Sequence, residues 1–228
     1  MKTLARKLLN SEWLNLKSEI HRILLLSALF SVLMVIARIL MVHQYSYRFL
    51  VWNLFLGAIP YGISRWLQLN PRLIQNKFRF GGLLILWILF LPNSFYILTD
   101  LFHLSGYYGM KMWFDLTMIV SFAWNGMLLG VLSLREMEKI MQQYFLKRTT
   151  LFFIYPIMLL NAIGIYIGRF LRFNSWDVIT NPLDLFSDMG TMVFNPLSFK
   201  PEWITIICFS ILMTIIYLTI KKIARTIN

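Results

Sequence analysis

Between positions 92 and 103 an otherwise apolar run acquires Pro92, Asn93, Tyr96, Asp100 and His103. A carboxylate three residues before an imidazole is a proton-transfer pair, with Asp100 as general base or metal ligand and His103 as its acid/base partner. Ionisable groups at membrane depth cost roughly 2.5 to 3.5 kcal/mol each, so their presence in such a run marks a functional site. Further along, Arg169 and Arg172 supply forked donors that fit a phosphate or a carboxylate bidentately. Asp115 and Asp177 are the carboxylates expected to join Asp100 and His103 in the catalytic set, and Asn93, Tyr96 and Asn174 to support it. A divalent metal on Asp100 and His103, completed by Asp115 or Asp177, is chemically reasonable. No residue pattern names another cofactor.

These side chains need a scaffold, and composition says which kind. Of the 228 residues 58% are hydrophobic and only 14% charged, with a mean hydropathy of +0.65; the expectation is an all-α, polytopic membrane bundle. Six apolar runs approach the roughly 20 residues that a spanning helix needs: 22–42, 49–69, 80–104, 113–134, 151–172 and 203–221. Residues 1–21 form a basic amphipathic lead-in with no cleavable-signal pattern, and residues 22–222 form a single six-helix domain. Pro92 removes a backbone hydrogen bond and is expected to kink the third helix.

Alternating the six spans places 16 of the 22 basic residues on one side. By the positive-inside rule both termini are then cytoplasmic, and the net charge of +12 needs no nucleic-acid partner. All five aspartates fall outside, whereas Glu12, Glu19, Glu136 and Glu138 fall inside. Because acids contribute little to topology, the outer carboxylates read as chemistry. Arg38 either joins that cluster or snorkels, and Asn53 and Asn125 are read as interhelical hydrogen-bonding amides. Gly164 and Gly168 form a small-xxx-small pair for close helix approach. The outer segment 173–202 is apolar between its Asn-Pro and Lys-Pro breaks, and is expected to lie in the interface or to fold back as a lid over the polar cluster, presenting Asp177, Asp184 or Asp188 to it. Cys208 is alone, which excludes a disulfide framework and a thiolate metal site.

Three blocks carry a resemblance. Leu91-Pro92-Asn93-Ser94-Phe95-Tyr96-Ile97-Leu98-Thr99-Asp100-Leu101-Phe102-His103, Trp52-Asn53-Leu54-Phe55-Leu56-Gly57-Ala58-Ile59-Pro60 and Gly168-Arg169-Phe170-Leu171-Arg172-Phe173-Asn174-Ser175-Trp176-Asp177 resemble the signature segments of a family of uncharacterised bacterial multi-spanning membrane proteins, a domain of unknown function. The resemblance covers about residues 45 to 220. It implies a multi-pass protein of the bacterial plasma membrane and supplies no activity.

The residues themselves support three functions. The first is an outward-facing enzyme acting on a lipid-linked or phosphate-bearing envelope substrate, with membrane lipids as its surroundings. The second is a transporter or flippase component, and the third a non-catalytic accessory subunit of an envelope complex.

Overall fold

The computed structural model describes residues 2–43, 45–104, 110–145, 150–173 and 175–226, and among these the regular structure is entirely helical. Helix α1 (Lys2–Val42) joins the lead-in and the first apolar run in one rod. It is followed by α2 (Arg48–Leu69), the short α3 (Pro71–Gln75) and α4 (Lys77–Tyr96), which continues as a 3₁₀ segment over Ile97–His103. Helix α5 spans Met110–Tyr144, α6 spans Thr150–Tyr166 and ends in a π-helical turn over Ile167–Leu171, and α7 (Asp177–Thr180) and α8 (Pro182–Phe194) lead into α9 (Lys200–Thr226).

Five segments are long and apolar enough to cross a membrane: Glu19–Val42, Lys77–His103, Lys111–Tyr144, Phe152–Leu171 and Lys200–Ala224. By length and composition the chain is a multi-pass membrane protein. Helix α2 is of spanning length at 22 residues but is not one of the five, because Asn53, Tyr61, Ser64, Arg65 and Gln68 interrupt its apolar sequence. Three of those groups are satisfied by neighbouring helices. Tyr61 Oη meets His21 Nε2 at 2.7 Å, Ser64 Oγ lies 3.3 Å from Ser133 Oγ, and Asn53 reaches the 3₁₀ segment.

Helix α4 packs against α2, α5 and α6, and α9 packs mainly against α6. Trp87, Leu91 and Phe95 of α4 are fully buried in one core cluster with Leu67 of α2, Leu134 and Met137 of α5, Met158 of α6, and Met213 and Tyr217 of α9. Nearer the 3₁₀ segment a second cluster forms from Val35, Leu50, Leu54, Ile97, Met118, Ile119 and Phe122. Between positions 92 and 97, glycines of α2, α5 and α6 lie close against α4. A Cβ on Gly126 would lie 2.6 Å from the Ser94 carbonyl oxygen, and one on Gly164 would lie 2.4 Å from Pro92 Cγ. Only hydrogen fits at either place, so α5 and α6 approach α4 more closely than side chains permit. Helix α4 passes Pro92 in α-helical form, and its winding changes only at Ile97.

Polar groups tie the helices across the apolar layer. Ser94 Oγ donates to the Gly57 carbonyl at 2.7 Å, Trp87 Nε1 to Ser133 Oγ at 2.8 Å, and Asn125 Nδ2 to Ser31 Oγ at 3.0 Å. At the far end of α9, Lys221 Nζ lies 2.6 and 2.7 Å from the two carboxylate oxygens of Glu138, which also accepts from Tyr217 Oη. All three side chains are buried.

Candidate functional site

The site stands where two helices leave α-helical winding. The 3₁₀ segment brings residues three apart into register, so Ile97, Asp100 and His103 fall on one line. Ile97 is packed into the core, Asp100 is 0% exposed, and His103, at the end of the segment, is exposed. Opposite, the π-helical turn of α6 carries Arg169, whose Nη1 lies 3.3 Å from Asp100 Oδ1. Asn53 Nδ2, from α2, donates to Asp100 Oδ2 at 3.0 Å. One buried carboxylate therefore holds three elements together, with both oxygens engaged.

His103 and Arg169 share this anchor. His103 Nδ1 lies 3.2 Å from the Asp100 carbonyl, 3.8 Å from Asp100 Oδ1 and 3.3 Å from Arg169 Nη2. As an N–H, Nδ1 donates to the carbonyl; as a bare nitrogen it accepts from the guanidinium, so the tautomer decides which contact is made. The Phe49 ring packs against the imidazole with centroids 4.8 Å apart. The guanidinium carbon of Arg169 is 5.8 Å from the ring centroids of both Tyr96 and Phe102, and its side chain keeps 17% exposure. The pair is a held cation at a partly open position, not a sealed core bridge.

Beside it lies a cavity of about 170 Å³. Trp52, Asn53, Asn93, Tyr96 and Ser175 give it polar edges, and Pro92, Gly164, Gly168, Val178 and Leu185 give it apolar walls. Asn93 Nδ2 donates to the Phe90 carbonyl at 3.1 Å and to Ser175 Oγ at 2.9 Å. The segment after α6 thus closes one side of the cavity through Ser175, Val178 and Leu185.

Of the expected site residues, the structure brings together Asp100, His103 and Arg169, with Tyr96 and Asn93 alongside. Asp115 belongs to a different pair: Arg38 Nε and Nη2 reach its two oxygens at 2.5 and 3.0 Å. Tyr47 sits by that pair, 5.7 Å from the Arg38 guanidinium, and burial pushes its phenol above the usual range, with Asp115 adding to the effect. Asp177 accepts from Thr180 Oγ1 at 2.9 Å in the first turn of α7, and Asp184 accepts from Asn181 Nδ2 at 2.8 Å. Arg172 ends the π-helical turn in a left-handed conformation, φ 62°, and is exposed. Asn174 lies outside the described residues.

A metal does not suit this donor set. Among the described residues no three His, Cys, Asp or Glu side chains gather, and Arg169 occupies the side of Asp100 Oδ1 and His103 Nδ1 that an ion would need. Asn53, read as an interhelical hydrogen-bonding amide, makes that bond to Asp100, which the sequence reading had not named as its partner. Ser175 was overlooked, although it stands in the same block as Arg169.

The pattern of apolar helices around a buried aspartate defines a membrane protein with a charged site at one end of its bundle. The chain belongs to the family described as "Protein of unknown function (DUF1361)", which matches residues 52–219. No curated protein and no solved structure matches it.

Proposed function

We propose that this is a bacterial plasma-membrane enzyme that acts, at the outer face, on a lipid-linked or phosphate-bearing envelope substrate. In this reading α2 is a sixth span, tolerable despite its polarity because its polar groups are met by neighbours, both termini are cytoplasmic, and α4 bends at Pro92. Arg169 is the contact for the substrate's negative charge. His103 is the proton-transfer group, working through Nε2 while Nδ1 is held by the Asp100 backbone. Asp100 is a positioning residue, because both its oxygens are already bonded. The observation that carries the reading is Arg169 beside His103 and next to the cavity edged by Asn93, Tyr96 and Ser175. Arg172, Asp115 and Asp177 have no part in proton transfer here, and the metal is dispensed with.

The test is a binding titration of the purified chain with a short-chain isoprenyl monophosphate and its matched alcohol, followed by native mass spectrometry. The phosphate should bind at least about tenfold more tightly, and Arg169→Lys should erase about that factor, since a point charge does not replace a bidentate fork. Equal binding of phosphate and alcohol overturns the proposal. A second reading, an accessory subunit or a transporter component, draws on the saturation of Asp100. Under that reading Arg169→Lys leaves ligand binding unchanged and lowers only the amount of folded protein.

Reporter fusions should place the C-terminus in the cytoplasm and Asp188 outside, following the basic-residue asymmetry. A cytoplasmic Asp188 would put the site on the wrong side for an envelope substrate.

A further inference from the structure

The π-helical turn of α6 also faces α9, and there it builds a second pocket. Tyr166 and Phe170, four residues apart around the turn, stack with ring centroids 5.2 Å apart and planes at 27°. The first turn of α9 lies beside them. Tyr166, Phe170, Pro201, Glu202 and Thr205 line a cavity of about 190 Å³. Glu202 Oε2 is buried in this region without a hydrogen-bond partner. Among the described residues no lysine, arginine or histidine forms an ion pair with Glu202. Thr205 Oγ1 spends its proton on the Pro201 carbonyl at 2.8 Å, so its lone pairs remain free to accept.

A buried carboxylate oxygen with no donor is an expensive arrangement unless something outside the chain completes it. A ligand complementary to this pocket donates hydrogen bonds to Glu202, carries positive charge to match the carboxylate, and is compatible with aromatic faces, which attract cations. A phosphate fails the charge requirement. A quaternary ammonium fails the donor requirement. A primary ammonium meets all three. The pocket lies at the end of two apolar helices, with Phe170 62% exposed at its edge, and helix ends are where lipid headgroups lie.

We propose that the Glu202–Tyr166–Phe170 pocket binds the primary ammonium of an ethanolamine phospholipid headgroup. It uses residues other than Asp100, His103 and Arg169, so it stands whether or not the site beside Asp100 is catalytic.

The test follows the thermal unfolding midpoint of the full chain in nonionic detergent during titration with short-chain phosphatidylethanolamine, phosphatidylcholine, phosphatidylglycerol or free ethanolamine. Phosphatidylethanolamine should half-saturate at a concentration about fivefold or more below the other two lipids. Glu202→Gln should remove that preference, and Phe170→Leu, at an exposed position, should weaken it about threefold. A wild-type chain with no preference, or a Glu202→Gln chain that keeps it, overturns the proposal. Free ethanolamine binding as tightly as the lipid overturns the lipid assignment. If Glu202→Gln does not fold, Phe170→Leu decides, and an undiminished preference in that variant overturns it.

Discussion

Replacing Glu138 by alanine should destabilise the chain by about 3 to 5 kcal/mol, because it breaks a buried ion pair by removing one partner. Lys221 approaches both oxygens of Glu138 at 2.6 and 2.7 Å, and the two side chains are only 11% and 4% exposed. Tyr217, fully buried, would lose its acceptor at the same time. The loss is that of a broken pair and does not measure what the pair contributes to the intact fold. Replacing both partners with apolar residues of similar size, Glu138→Leu with Lys221→Met, should therefore recover most of the stability. Denaturation in detergent checks both variants. A single variant as stable as the wild type would mean that water reaches Lys221.

Gly126→Ala is expected to have the second large effect, and to act on the site from a distance. The added Cβ would lie 2.6 Å from the Ser94 carbonyl oxygen and 2.7 Å from Ile97 Cδ1. Backbone cannot rotate away as a side chain can, so α4 must shift. Overpacking of this kind costs about 1 to 3 kcal/mol. The shift falls between Pro92 and the 3₁₀ segment, and Asp100 should lose register with Arg169. Gly62→Ala is the control, since its Cβ meets nothing within 4 Å; it should be neutral or slightly stabilising, as expected for alanine in a helix. Thermal denaturation with the isoprenyl phosphate titration would show loss of both stability and binding for Gly126→Ala alone.

What the sequence revealed depended on whether a residue's partner was local. Six apolar runs were read from the sequence, because hydrocarbon thickness sets a length that can be counted, and five of them correspond to helices long and apolar enough to cross a membrane. The run 49–69 forms helix α2, but Asn53, Tyr61 and Ser64 lower its hydropathy, and only their partners on α1, α5 and the 3₁₀ segment explain why they are there. Asp100 and His103 were visible as a charged interruption, and their three-residue spacing fixed their common face. That Asp100 would meet Arg169 and Asp115 would meet Arg38 depends on helix rotation, which no spacing within one helix reveals. Lys221 was read only as a topogenic charge and Glu138 only as an acid on the inner side, because each belongs to a charged helix end when taken alone. Gly164 and Gly168 stood out as a motif. Gly126 and Gly130 have the same spacing but were not singled out, and their role follows from Ser94 and Phe95 pressing on them.

Arg169, held by Asp100 beside His103, is proposed as the contact for a phosphate-bearing group. Solid-state NMR of the chain in a lipid bilayer, with ¹⁵N-labelled arginine and the isoprenyl monophosphate as the phosphorus source, measures that contact directly through ³¹P–¹⁵N dipolar dephasing. The expected result is a guanidinium nitrogen within about 4 Å of phosphorus, the distance set by an N–H···O–P hydrogen bond, and loss of that signal in Arg169→Lys. Dephasing that is absent in the wild type, or that persists unchanged in Arg169→Lys, would contradict it.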